Sequence, residues 1–148
     1  MTVCNLTPQL LDSVEELEKL VFADPWSRQS LTLLCGDGAF GVAVVEGERV
    51  LAYGGMLTVL DEGQITNVAT HPDHRRCGLG AMVLDALLRA ARAHALCEVT
   101  LEVRESNLAA IALYQRFGFQ VVGERPRFYA HPTETALIMK CELGVSSC

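Results

Sequence analysis

The order of hydrophobic patterns predicts an α/β fold of about seven strands and about four helices, and three observations carry that reading. Between Ala39 and Thr70, three β-rich runs are joined by connections too short for anything but antiparallel neighbours. From Leu79 the apolar residues switch to helical spacing, and from Glu98 to Arg104 they alternate strictly. With 148 residues, no internal repeat and no linker-like stretch, residues 1–148 read as one domain.

Taken in order, Val3 to Leu6 forms a short first strand. Thr7-Pro8 then offers an N-cap and a first-turn proline for a helix carrying Leu10, Leu11, Val14, Leu17, Leu20 and Val21 on one side. That helix ends before Asp24-Pro25, and Pro25-Trp26-Ser27 caps a short second helix through Leu34. Ala39 to Val45, Arg49 to Leu60 and Gln64 to Thr70 make a meander with turns at Glu46-Gly47-Glu48 and Asp61-Glu62-Gly63. A long helix follows, with Leu79, Met82, Val83, Ala86, Leu87, Ala90 and Ala91 inward and Asp85, Arg89 and Arg92 outward. The strand Glu98 to Arg104 turns Val99, Leu101 and Val103 to one face and Glu98, Thr100, Glu102 and Arg104 to the other. Ser106-Asn107 caps a further helix that Gly118 terminates, and strands near Gln120 to Arg125 and Thr135 to Glu142 close the order.

Composition narrows the function. Half the residues are hydrophobic and 20% are charged, which excludes a disordered chain. The formal charge of -6 argues against direct nucleic-acid binding, which needs clustered cations along a phosphate backbone. Arginines do gather at Arg75-Arg76, Arg89-Arg92 and Arg125-Arg127, so a local anion site is compatible with the acidic total. No run approaches the roughly 18 apolar residues that span a bilayer, and no export signal is evident. The six cysteines are scattered without C-x-x-C and read as reduced thiols of a cytoplasmic protein, a monomer or weak dimer.

Two constellations could carry chemistry. Arg75-Arg76-Cys77-Gly78-Leu79-Gly80 lies between a strand and the long helix, where glycines and a helix N-terminus suit a pyrophosphate, although such glycines also serve simply as turn residues. A dinucleotide fingerprint fails because its third glycine would be Val83, and a P-loop fails for want of Gly-Lys-Ser/Thr. In the second, Glu102 at a strand end and Tyr114 one helix later can converge as base and acid, or can be a solvated strand residue and a core tyrosine.

Asn67 through Gly80, with its strand followed by Arg-x-x-Gly-x-Gly, resembles the acetyl-CoA motif of the GNAT acetyltransferase superfamily. Asn107 through Ala112-Leu113-Tyr114 to Phe117-Gly118-Phe119 is similar to that family's next motif, N-x-x-A-x-x-x-Y-x-x-x-G-F. Pro25-Trp26-Ser27, Leu101-Glu102-Val103-Arg104 and Ala109 to Tyr114 further resemble the ribosomal-protein-alanine N-acetyltransferases over almost the whole chain. Cys77 stands where those proteins often carry Gln, and the tail beyond Leu143 has no evident role. The resemblance implies the GNAT fold, a mixed and mostly antiparallel sheet flanked by helices. It implies acetyl-CoA as cosubstrate, no metal, and a protein N-terminus, that of a small-subunit ribosomal protein beginning with alanine, as partner. Glu102 would be the general base and Tyr114 the general acid. Val68, Ala69 and Thr70 would hold the pantetheine arm, Arg75, Arg76, Cys77, Gly78, Leu79, Gly80 and Ala81 the pyrophosphate, and Asn107 would also contact the cosubstrate.

Other residues carry rival readings. His71, His74 and Cys77 have metal-like spacing but no evident fourth ligand, and no cysteine sits in a justified Cys/His nucleophile arrangement. Trp26 is either core or part of the acceptor wall, and Tyr129, in an aromatic and basic loop, is a candidate for holding a peptide N-terminus. A small amine or lysine acceptor, or a CoA-binding module without turnover, are the alternatives to a protein N-terminus.

Overall fold

A computed structural model describes residues 1–145 and 148 of the chain; of the tail beyond Leu143, residues 146 and 147 lie outside that description. The strands are β1 (Thr2–Asn5), β2 (Ala39–Glu46), β3 (Arg49–Val59), β4 (Glu62–Thr70), β5 (Glu98–Arg104), β6 (Gln120–Tyr129) and β7 (Glu134–Glu142). The helices are α1 (Leu11–Val21), α2 (Arg28–Thr32), α3 (Leu79–Ala93) and α4 (Leu108–Arg116). All seven strands form one sheet in the order β1-β2-β3-β4-β5-β7-β6, antiparallel except where β5 lies parallel to β4. The mixed, mostly antiparallel sheet and four helices are those the sequence predicted.

Local chemistry explains most boundaries. Ser27 Oγ accepts the Ser30 N–H at 3.1 Å and starts α2, as expected. Thr7 does not cap: its side chain makes no such bond, and one tight turn at Pro8–Leu10 precedes α1. Asn107 Oδ1 accepts the Ala110 N–H at 3.2 Å and starts α4. That helix closes with Gly118 at φ 93° and a bond from Phe119 N–H to the Tyr114 carbonyl, which folds Phe119 into the core.

Three expectations need correction. Glu62 and Gly63 belong to β4, paired with Val59 and Thr58, because the turn needs only Leu60 and Asp61. The segment from Arg125 to Tyr129 is part of β6 and not a loop, since β7 starts at Glu134 and keeps Tyr129 paired with it. Cys97 and Cys148, expected to be reduced, form a disulfide with Cα atoms 5.6 Å apart; Cys4, Cys35, Cys77 and Cys141 are free.

The sheet separates two cores. On one face Leu11, Val14 and Leu17 of α1 and Leu31 of α2 pack with Ala43, Tyr53 and Ala69. On the other, Leu79, Val83, Leu84 and Leu87 of α3 and Tyr114 of α4 pack with Leu51, Ile65, Leu101 and Val103. Each such large side chain contributes about 1.5–3 kcal/mol when fully buried. α3 approaches β3 so closely at Gly54 that an added Cβ would lie 2.5 Å from Val83 Cγ1 and 3.0 Å from Leu87 Cδ1.

Two irregularities open the sheet at its centre. β4 and β5 are paired only at Glu62–Glu98, Gly63–Val99 and Gln64–Thr100, after which their C-terminal halves separate. β4 also carries a bulge: Gly55 faces Asn67 while Met56 faces Ile65, so Thr66 is the extra residue. The alternation of faces is thereby reset, and Asn67 points to the α1 face although Ile65 points to the α3 face. Gly54→Ala should lower stability by about 1–3 kcal/mol in urea denaturation, because Val83 and Leu87 have nowhere to retreat.

Candidate active site

The separated ends of β4 and β5 form the floor of a cavity of about 790 Å³, and loops from both ends of the chain wall it. Ile65 to Val68 come from β4, Leu101 to Arg104 from β5, Tyr114 from α4, Phe22 to Asp24 and Trp26 from the α1–α2 connection, and Phe128 to Pro132 from the β6–β7 end. Of the predicted residues, Trp26, Val68, Arg75, Glu102, Asn107, Tyr114 and Tyr129 line this space. Ala69, Thr70, Arg76, Cys77, Gly78, Leu79, Gly80 and Ala81 do not. Ala69 and Leu79 are core residues, so only their main chain can meet a ligand.

Glu102 and Tyr114 reach the cavity from opposite faces of the sheet. Strict alternation along β5 sends Leu101 and Val103 into the α3-side core and Glu102 to the α1 side, where it is exposed. Tyr114 belongs to the α3-side core yet borders the cavity at the gap. Burial, with Tyr129 adding to it, pushes its hydroxyl up to about 12. Tyr129 is also pushed up to about 12, first by burial and then by the Glu102 carboxylate, against the opposing pull of Arg104. Both phenols therefore remain proton donors across the neutral range.

Arg104 orders one wall. Its guanidinium donates to the Ala130 carbonyl at 3.0 Å, the Pro132 carbonyl at 2.9 Å and Glu134 Oε1 at 3.1 Å, and lies 4.4 Å from the centre of the Tyr129 ring. The Ser106 N–H donates to the other Glu134 oxygen at 2.7 Å, and hydrogen bonding from Ser106, its side chain first and then this main-chain N–H, aided by Arg104, holds the Glu134 carboxyl below its usual value. His131 of this wall meets Asp24 of the opposite wall at 3.1 Å, which links the two loops across the cavity.

The second wall depends on Glu18, a fully buried carboxylate of α1 that accepts the Trp26 main-chain N–H at 2.8 Å. Trp26 packs against the α1-side core and also borders the cavity. Sequence reading missed Glu18, Asn67 as a site residue, and Arg104. For Glu18 the signal was available, because it lies four residues after Val14 on the apolar stripe of α1.

At the start of α3, Gly78 adopts φ 77° and Arg76 φ 67°. Leu79, Gly80 and Ala81 occupy the first turn, so their N–H groups have no intrahelical acceptor and point out of the helix end. Gly78 serves the left-handed backbone, whereas Gly80 serves packing, since a Cβ there would lie 3.2 Å from Leu113 Cδ2 of α4. His71 and His74 stack edge to face at 5.5 Å and Cys77 is exposed; no metal-holding group of His, Cys, Asp and Glu forms among the described residues.

Comparison with known proteins gives this geometry a context. Residues 11–119 match the acetyltransferase (GNAT) family. The chain is 34% identical over 146 residues to the ribosomal protein bS18-alanine N-acetyltransferase of Salmonella typhimurium, covering 97% of this chain and 99% of that one. It is 32% identical over 148 residues to the enzyme of the same name from Escherichia coli K12, with 97% and 99% covered. The crystal structure of the ribosomal-protein-S18-alanine N-acetyltransferase from Escherichia coli superposes with a TM-score of 0.88 at 30% identity, over 96% of this chain and 93% of that one.

The role of Arg104 in ordering its wall is measurable without any ligand. Arg104→Met should raise amide hydrogen exchange across residues 130–134 by about tenfold or more while α3 exchanges as before, because several bonds to one loop are lost together.

Proposed function

The chain belongs to the acetyltransferase (GNAT) family and is an acetyl-CoA-dependent N-acetyltransferase, and from that premise we propose that its acceptor is the N-terminal alanine of a small-subunit ribosomal protein. One observation carries the acceptor: the likeness to the alanine N-acetyltransferases covers 97% of the chain and so includes both loops that wall the cavity. Those loops are the part of the cavity wall that lies outside the acetyl-CoA motif, of which Asn67, Val68 and Arg75 also line the cavity, and we assign acceptor choice chiefly to them. A ribosomal-protein acceptor also places the enzyme in the cytoplasm, where we expect a monomer or weak dimer in sedimentation.

The residues present fit acetyl-CoA. The unpartnered first-turn N–H groups of α3, with Arg75 and Arg76 beside them, suit a pyrophosphate, and these are the groups we assign to it, together with Cys77, Gly78, Leu79, Gly80 and Ala81. β4 beyond Gln64 has no β5 partner, so main-chain groups of Val68, Ala69 and Thr70 that face the gap are free to bond the pantetheine arm. Asn107 spends its side-chain oxygen on capping α4, which leaves its NH2 for the cosubstrate. When bound, acetyl-CoA supplies a thioester carbon open to attack.

An α-amine has an ordinary pKa of about 7.7 to 8.0 against about 10.4 for lysine, so at neutral pH it starts roughly 3 to 4 kcal/mol closer to its nucleophilic form. One carboxylate is then a sufficient base. Glu102 takes a proton from the ammonium, directly or through water, and the neutral nitrogen forms the new N–C bond as the C–S bond breaks. A main-chain N–H of Val68 to Thr70 supports the carbonyl oxygen. Tyr114 gives its proton to the departing sulfur and recovers one from solvent, while the second proton lost by nitrogen leaves through Glu102.

Three measurements test this. Mass spectrometry of peptides differing only at their first residue should place acetyl on the N-terminal amine of the alanine peptide and not on lysine; acetylated lysine would redirect the acceptor. Glu102→Gln and Tyr114→Phe should each lower turnover by roughly 10²-fold or more with acetyl-CoA binding retained in calorimetry. The pH profile has a defined shape: kcat/KM rises as the α-amine loses its proton near pH 8 and then stays level to about pH 10, because Tyr114 and Tyr129 keep their protons until about 12. A descending limb below about pH 10 would move the acid role to another group.

A further inference from the structure

Glu18 is 0% exposed, and its bonds fix more than the α1–α2 loop. Three donors converge on it: the Trp26 N–H on Oε1 at 2.8 Å, and the Tyr53 hydroxyl at 2.6 Å and Asn67 Nδ2 at 3.3 Å on Oε2. A carboxylate offers acceptors alone, so the Asn67 amide must turn its NH2 toward Glu18 and its Oδ1 away. That Oδ1 is buried without a hydrogen-bond partner among the described residues, and Asn67, 9% exposed, lines the cavity. An unpaired buried amide oxygen is costly, and a ligand that donates a hydrogen bond to it would recover that cost.

The chemistry of the missing partner follows. An amide oxygen accepts, so a thioester carbonyl cannot complete it, whereas an amine N–H can. The bulge at Thr66 puts Asn67 on the α1 face of the sheet, the face that carries Glu102, while Val68 points to the α3 side. We propose that Asn67 Oδ1 holds one N–H of the attacking amine, and that Glu18 is the positioning residue that keeps the amide in this orientation. Of the three ammonium protons two are lost during acetyl transfer, and the third stays on nitrogen and remains on the product amide; Asn67 holds that third proton. With Glu102 it fixes the nitrogen at two points, which directs the lone pair. This assignment rests on the reading of the cavity as an amine site.

The test is a cycle in the full chain, with an alanine-terminated peptide and its N-methylalanine counterpart, which lacks one amine N–H. Asn67→Ala should lower kcat/KM for the alanine peptide about 10- to 100-fold while the acetyl-CoA Kd stays within about twofold. N-methylation should cost the wild type about tenfold or more and cost Asn67→Ala nothing further. Additive losses, or a loss that falls on acetyl-CoA binding, would overturn the assignment. Glu18→Gln enters the same cycle, where a raised acceptor KM at nearly unchanged kcat and a reduced N-methyl penalty are expected; it decides the matter if Asn67→Ala fails to fold. Should the wild type acetylate ethanolamine but no peptide, the alanine reading falls and the cycle is run with ethanolamine and N-methylethanolamine. Turnover of no amine at all overturns both.

Discussion

The parallel pairing of β4 with β5 ends after Gln64–Thr100, and the rest of the structure depends on that short contact. A parallel neighbour requires a crossover, which α3 supplies by packing Val83, Leu84 and Leu87 against the sheet. The crossover fixes the N-terminus of α3 beyond the end of β4, so the unpartnered amides of its first turn lie next to the open edge of β4. If the two strands stayed paired to their ends, the edge groups would be consumed and the cavity would have no floor. β5 meets the need for strand pairing on its other side, where β7 accompanies it over its full length.

The bulge at Thr66 adds a second constraint. One extra residue exchanges the faces of β4 within a turn, so a strand whose Ile65 supports the α3-side core turns Asn67 toward α1. The sheet can thus approach a long ligand from one face and a different molecule from the other. The two side chains proposed as acid and base are divided accordingly, with Tyr114 on the α3 side and Glu102 on the α1 side.

One acidic and one basic side chain hold the walls. Glu18 is buried and satisfied by three donors, and Arg104 is satisfied by two carbonyls and Glu134. Removing a charged group from water is costly unless such bonds replace the hydration, so each centre fixes the loop that supplies its partners. Connections that would otherwise be mobile become parts of a defined cavity, joined at its mouth by Asp24 and His131.

By itself the sequence determined the order of elements, the antiparallel meander, the strict alternation of β5 and the caps at Ser27 and Asn107, because each depends on periodicity or on contacts a few residues apart. It also placed the residues of both family motifs, which are local runs. Only the tertiary structure decided that β6 continues to Tyr129, that β4 bulges at Thr66, that Cys97 meets Cys148, and that Glu18, Asn67 and Arg104 belong to the site. Each of these joins residues distant along the chain: Glu18 meets Tyr53 and Asn67, and Arg104 meets Ala130 to Glu134. Local pattern carries no record of such partners, since a carboxylate on an apolar stripe signals burial without saying which donors will satisfy it.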